Sequence, residues 1–201
     1  ERISSYMNLE NLDLGRWIKN QKSTQMSGLF IMDAGLTENG ALDQIDMTVE
    51  MIESKLFNQG EISIHGQLTY RDSLLSTIDP VMLFVGDSYL TIDGKADFFS
   101  KTIDLYTDME KADIELVNSF LPGDFVSGKA TGNLKISGDI LSPSALAELT
   151  CENVKISNFT LESIELNSHI TVNESIPSGF IDIKADKGQW NNRGFESGTV
   201  S

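Results

Sequence analysis

The sequence predicts an all-β protein built on an elongated antiparallel sheet. Apolar and polar residues alternate over most of the 201-residue chain, which is the pattern of strands with one buried and one wet face. Asn, Asp, Gly and Ser interrupt the strands at short intervals, which favours hairpins. A parallel sheet covered on both faces needs continuous apolar runs, and the longest run here is residues 81–85.

The alternation assigns the strands in chain order. The first clear strand puts Met47 and Val49 on one face and Thr48 and Glu50 on the other. Further strands are predicted at residues 62–70, 90–98, 103–105, 134–136, 154–156, 164–172 and 181–185. Turns are predicted between them at residues 38–40, 58–60, 85–88, 137–139, 157–158 and 187–188. Residues 74–83 are less regular, and we interpret them as an apolar connection interrupted by Asp79-Pro80.

A duplicated phrase suggests a repeat. In residues 11–28 and again in residues 112–128, a short apolar segment leads through a linker into Ser-Gly and then into strands. The offset of about 100 residues predicts repeat units 11–111 and 112–201, a fragment of a longer array. Helical periodicity appears at residues 12–20 and 113–121 only, so one or two short helices are expected, with Trp17 and Phe120 packed over an edge or end of the sheet.

The net charge excludes several partners. Thirty acidic residues against 15 basic ones give −15, and the basic residues are scattered singly, so nucleic acid binding is disfavoured. The single cysteine, Cys151, excludes an internal disulfide framework and a thiolate metal cluster, and its parity predicts a small buried apolar side chain.

The sequence lacks the constellations of an enzyme. His65 and His169 lie on predicted strands without metal-binding spacing, and no phosphate loop or nucleophile elbow is present. Close acidic pairs such as Asp43 and Asp46 are expected by chance among 30 acids, and Asp33 and Asp139 lack a calcium loop around them. We therefore predict no catalytic residue, no metal site and no cofactor.

The pattern alone leaves open what the apolar face covers. Two opposed sheets would make a sandwich, whereas one sheet that curls without closing would leave a lined groove.

One stretch carries a family resemblance. Residues 125–143 form a Ser-Gly strand, a strand that ends in Gly-Asp, and then Ser-Pro, and hairpins follow through residues 153–156. With the phrase at residues 11–14, this order resembles the TamB-like and AsmA-like family of bacterial envelope proteins (the translocation and assembly module family), and looks most like the carboxy-terminal repeats. The chain departs from that pattern at Ala145-Leu146-Ala147, where a Gly is expected after the Pro.

The resemblance implies a fold and a function. It implies a curled β-sheet with an open hydrophobic groove (a β-taco), in the periplasm of a Gram-negative bacterium, as a fragment of an inner-membrane-anchored protein. Such proteins carry phospholipid towards the outer membrane, support outer-membrane biogenesis and work with a BamA-like outer-membrane barrel. A structural β-solenoid or sandwich stalk of a surface or adhesion protein is the alternative, and a carbohydrate-active β-helix is a third.

The parity of the strands then predicts which residues contact phospholipid acyl chains. The expected groove-lining residues are Met47, Val49, Met51, Ile62, Ile64, Leu68, Leu90, Ile92, Ile103, Leu105, Leu134, Ile136, Ile164, Leu166, Ile181 and Ile183. The residues expected to face solvent are Asp46, Glu50, Glu61, Gln67, Glu165 and Asp182. Methionines in an ordinary core are an equally good interpretation of Met47 and Met51.

Overall fold

A computed structural model describes residues 2–13, 24–56, 61–115, 126–173, 176–190 and 193–200. These residues form one sheet of 12 strands in sequence order. The strands are β1 (Arg2–Leu12), β2 (Thr24–Leu36), β3 (Leu42–Leu56), β4 (Glu61–Arg71), β5 (Leu74–Val85), β6 (Ser88–Asp97), β7 (Thr102–Asp113), β8 (Val126–Asp139), β9 (Ser142–Ile156), β10 (Phe159–Asn173), β11 (Ile176–Trp190) and β12 (Arg193–Val200).

The sheet is an antiparallel meander, in which each strand is hydrogen-bonded to its neighbours in sequence. The predicted all-β antiparallel fold class is confirmed. The strands fall into two compact units: unit 1 comprises Glu1–Gly86 and Thr91–Leu105, and unit 2 comprises Asp87–Leu90 and Tyr106–Ser201. The repeat boundary at residues 111 and 112 remains a prediction.

Four local predictions were wrong. Residues 137–139, predicted as a turn, are the end of strand β8, and the turn lies at Ile140-Leu141. Residues 74–83 are not a connection but most of strand β5, because a register shift around Asp79 accommodates Pro80, which has no N–H to donate. Lys187, with φ 39°, lies inside β11 where a turn was predicted, and the register of β11 with β10 and β12 is the same on both sides of it. Phe98, assigned to a strand, lies in the turn that follows β6.

The predicted helices fall largely outside the described residues. Leu12 and Asp113, the first residues of the two predicted helical segments, end strands β1 and β7. Ile114 and Glu115 make a single 3₁₀ turn. Trp17 and Phe120 lie outside the described residues, so the packing predicted for them stays a prediction.

Each unit has a small packed core. In unit 1, Met51 and Ile62 are buried beside the fully buried Ser54, whose hydroxyl accepts from Ser27 N at 3.0 Å and donates to Ser27 O at 3.1 Å. In unit 2, the core is a cluster of small residues in β7, β8 and β9: Ala112, Ala130, Cys151 and Val154. Cys151 is buried as predicted, and this burial raises the pKa of its thiol.

Candidate functional site: the apolar face of the sheet

The strand register gathers apolar side chains on one face of unit 1. Residues directly opposite each other in an antiparallel pair share a face. Phe30 in β2 lies opposite Val49 in β3, and Met32 lies opposite Met47, which in turn lies opposite Leu68 in β4. The same face continues through the pairs Met51–Ile64, Ile64–Leu83 and Ile62–Val85.

Unit 2 has a face of the same kind. Leu166 in β10 lies between Leu149 of β9 and Ile183 of β11, and Ile164 lies opposite Cys151. The face continues through the pairs Leu134–Ala147, Ile136–Ala145, Ile164–Ala185 and Ile183–Val200. We call these two sets of side chains the apolar faces of unit 1 and unit 2.

The predicted lining residues occupy the apolar faces with unequal burial. Met51 and Ile62 are each only 4% exposed, and Ile181, opposite Ser168, is 45% exposed. The half-buried ones are Met47, Val49, Ile64, Leu68, Ile92, Ile103 and Leu105 in unit 1, and Leu90, Leu134, Ile136, Ile164, Leu166 and Ile183 in unit 2. Whether they contact lipid remains a proposal.

Strand β6 joins the apolar face of unit 1 through a glycine. A Cβ added at Gly94 would lie 2.9 Å from Cδ2 of Leu105, so Gly94 shares the face of Leu105. Ile92 and Ala96 have the same parity as Gly94 along β6, and therefore belong to this face as well.

Several members of the apolar faces were missed from the sequence. In β2, Phe30 and Met32 belong to the face, but Leu29 and Ile31 lie on the other side, so the strand reads as a continuous apolar run without alternation. In β9, the pattern Leu149-Thr150-Cys151 correctly placed Cys151 on the apolar side, but Ala145 and Ala147 on the same face were not predicted, because the apolar Leu146 between them obscures the alternation.

The apolar face of unit 2 continues past a row at which the alternation of apolar and polar residues breaks. Cys151 and Val154 are three residues apart, yet both belong to the same core, because β9 has one extra residue relative to β8 between Lys155 and Glu152, where Asn153 has φ 53°. The next strand shows the same spacing between Leu161 and Ile164. A strict two-residue alternation therefore fails to predict the apolar face beyond this row, although the side chains there still lie on it.

The opposite face, which we call the hydrophilic face, is mainly polar, although Leu29, Ile31, Leu146 and Phe180 also lie on it. Asp46 lies opposite Thr69, and the Thr69 hydroxyl at 2.7 Å and the Gln44 amide at 2.6 Å both donate to its carboxylate. These hydrogen bonds, that from Gln44 first, hold the pKa of the Asp46 carboxyl below its ordinary value. The other predicted outward residues, Glu50, Glu61, Gln67, Glu165 and Asp182, also have the register of this face.

The hydrophilic face of unit 2 carries an ion pair and a cleft lined by charged side chains. Lys129 Nζ lies 2.6 Å from Asp113 Oδ1, and this hydrogen bond raises the pKa of Lys129. Lys129 also lines an open cleft with Asp87, Glu110 and Glu152. Such a surface suits water and offers nothing to an acyl chain.

Both histidines lie on the hydrophilic face in structural contacts. His65 Nδ1 is 3.6 Å from Glu50 Oε1, and His169 Nε2 is 2.9 Å from Ser144 Oγ while its ring meets the edge of Phe180. Across the described ranges, no group of three or more His, Cys, Asp and Glu side chains is placed to hold a metal ion.

The apolar faces are only partly buried. Among the described residues, the buried apolar side chains are Met51, Ile62, Val85, Ala112, Ala130, Cys151 and Val154. Other face members stay accessible to water, including Met7 (52% exposed) and Met32 (42%) in unit 1. In the part of the chain that the structure describes, no helix is long and apolar enough to cross a membrane.

Comparisons with known proteins identify the family. The model of the TamB N-terminal domain family matches residues 2–201. The translocation and assembly module subunit TamB of Haemophilus influenzae is 29% identical over 126 residues, which are 63% of this chain and 9% of that protein. No solved structure matches.

The chain thus spans a small part of the curated relative that it matches. The family resemblance predicted from residues 125–143 is confirmed, but the likeness to carboxy-terminal repeats was wrong, because the matching model is that of the N-terminal domain. Ser-Gly strands and hairpins followed by Ser-Pro do not distinguish the two ends of such a repetitive protein. The chain belongs to the TamB N-terminal domain family.

Proposed function

We propose that each unit holds phospholipid acyl chains against its apolar face, as part of a hydrophobic groove in the full-length protein. The observation that carries this proposal is the contrast between the two faces. One face is apolar along successive strands and only half-buried, and the other is lined mainly by carboxylates, amides and hydroxyls, with fewer apolar side chains among them.

Energetics favour a lipid ligand for such a face. Exposing an acyl chain to water costs about 0.8 kcal/mol per methylene, or on the order of 12 kcal/mol for a 16-carbon tail. A protein that moves such a tail through water must therefore shield most of its length. A face continuous over several strands provides that length, and isolated pockets do not.

The composition of the face suits tails of varied shape. In unit 1, Met7 lies opposite Phe30, and Met32 lies opposite Met47. Methionine is unbranched and polarizable, so its side chain adapts to irregular apolar partners. With a net charge of −15, the chain repels anionic headgroups, so binding depends on the tails and the headgroups stay in solvent.

Membership of the family suggests where in the cell this binding takes place and with which partners. We propose that the full-length protein is anchored in the inner membrane, crosses the periplasm and works with a BamA-like outer-membrane barrel. It would pass phospholipid from the inner to the outer membrane and so support outer-membrane biogenesis. The name of the Haemophilus influenzae relative, a translocation and assembly module subunit, supports an assembly role.

Charges placed in the path of the tails test the proposal. In the full-length protein, with the photocrosslinker p-benzoylphenylalanine at Leu68 of unit 1, Val49→Asp and Ile92→Asp should each reduce phospholipid crosslinking about tenfold or more. With the photocrosslinker at Leu166 of unit 2, Ile136→Asp should have the same effect. The reason is that an unpaired carboxylate among apolar groups costs several kcal/mol or draws in water.

Thr48→Asp and Ser63→Asp are matched controls, because both residues lie on the hydrophilic face. Their crosslinking should equal that of the unmodified protein at the same expression level. Equal lipid occupancy in the variants of the apolar faces and of the hydrophilic face would contradict the proposal and favour a structural stalk.

A further inference from the structure

The hairpin between β6 and β7 presents two adjacent aromatic side chains to solvent. Phe98 is 55% exposed and Phe99 is 87% exposed, in the turn between Asp97 and Thr102. Unit 1 contains this whole turn. Two adjacent large apolar side chains exposed at one turn are costly in water, and an apolar ligand that covered them would remove this cost.

Hydrogen bonds hold this turn in one conformation. Asp97 Oδ1 accepts from Phe99 N at 2.8 Å and from Ser100 N at 3.0 Å, and Phe98 N donates to Ser73 O at 2.9 Å. The hydrogen bond from the Ser100 backbone is the largest cause of the lowered pKa of the Asp97 carboxyl. This carboxylate, which caps the turn by accepting these hydrogen bonds, is therefore ionised at neutral pH. The two rings are therefore displayed by a defined turn.

The turn lies where the apolar face of unit 1 ends. Ile92, Gly94 and Ala96 carry the face along β6, and Phe98 follows Ala96 by two residues. A tail that leaves the face in the direction of β6 thus meets the aromatic pair first.

Unit 2 contains the same arrangement in the hairpin between β8 and β9. Asp139 Oδ1 accepts from Leu141 N at 2.8 Å, and Leu141 is 74% exposed. This turn also follows a strand of the apolar face, since Ile136 lies three residues before Asp139. Two hairpins thus combine an aspartate cap with two consecutive apolar residues.

We propose that the Phe98-Phe99 turn, and the Ile140-Leu141 turn of unit 2, are the rims over which phospholipid tails enter and leave the apolar faces. This inference rests on the proposed function. The side chains cover the methylenes that would otherwise meet water during the crossing. The occupant is an acyl chain, because the rings continue an apolar surface and carry no hydrogen-bonding group of their own.

Photocrosslinking in cells that make the full-length protein tests the rim directly. p-Benzoylphenylalanine at Phe99 keeps the phenyl ring and should crosslink ³²P-labelled phospholipid. The same probe at Tyr6, which is 80% exposed and opposite Ile31 on the hydrophilic face, should capture no lipid. A probe at Val49 reports the apolar face itself.

The outcomes separate this inference from the function on which it rests. Lipid capture at residue 49 without capture at residue 99 contradicts the proposal that the turn is a rim, but it agrees with the proposed function. No capture at residue 49 overturns the proposed function. Capture of a protein at residue 99 in place of phospholipid overturns the rim in favour of a partner surface.

A kinetic arm uses the variant Phe98→Ser/Phe99→Ser. After a pulse of ³²P, lipid should reach a probe at residue 49 about tenfold more slowly and with the same final level, because the rings lower the barrier to crossing and not the affinity of the face. Tyr6→Ser, an exposed aromatic on the hydrophilic face, should keep the normal rate. Equal rates in the two variants contradict the proposal.

Discussion

At the scale of single residues, glycines allow the strands to approach closely beneath the apolar faces. Gly132 in β8 lies opposite Leu149 with φ 139°, and a Cβ added there would lie 2.1 Å from Glu148 O. Gly179 in β11 has φ 149°, and its added Cβ would lie 1.9 Å from His169 O. Such φ values are almost restricted to glycine, so no other residue fits these two positions.

The glycine requirement gives a stability prediction. Gly132→Ala should destabilise β8 and β9 by about 2 kcal/mol or more, since it combines a disfavoured φ with a clash against a backbone oxygen. Native-state hydrogen exchange of the β9 amides measures the loss. Gly198→Ala is the matched control, because no atom lies within 4 Å of its added Cβ, and it should change exchange little. Equal protection in the two variants would show that the close approach does not matter.

At the scale of the elements, the sequence predicts strands well where alternation is strict and fails where the ladder is irregular. The strands around Met47, Ile64 and Ile164 were found because each keeps a period of two. Strand β5 was missed because Pro80 and a register shift interrupt its pattern. Lys187-Gly188 has the residues of a turn, yet it lies within β11, because the strand accommodates the positive φ of Lys187 without a break in register.

The bulged row of unit 2 is also the centre of its core, and this gives a second stability prediction. Val154, 2% exposed, belongs to the core cluster with Ala130 and Cys151. Val154→Ala should lower the protection of β8 to β10 amides by about 1–3 kcal/mol, from lost apolar contact and the cavity left behind. Val200→Ala, at a site 67% exposed, should cost far less. Similar losses at both sites would mean that the cluster is not a core.

At the scale of the whole molecule, both units separate an apolar face from a hydrophilic face. Parity in the sequence predicts this separation, because a two-residue period places Met47 and Val49 on one side and Thr48 and Glu50 on the other. Parity does not predict whether another layer covers the apolar face, since a sandwich and an uncovered sheet share the same alternation. The partial exposure of Met7, Met32 and Ile181 supplies that information.

Photocrosslinking at consecutive residues of β10 tests the central claim, lipid binding on the apolar face, most directly. In the full-length protein in cells, p-benzoylphenylalanine at Ile164 and Leu166 should capture phospholipid, and at Glu165 and Asn167 it should not, because the two pairs lie on opposite faces. A yield of lipid adduct that rises and falls with a period of two residues is the predicted result. Equal lipid capture at all four positions, or capture of protein alone at residues 164 and 166, would contradict it.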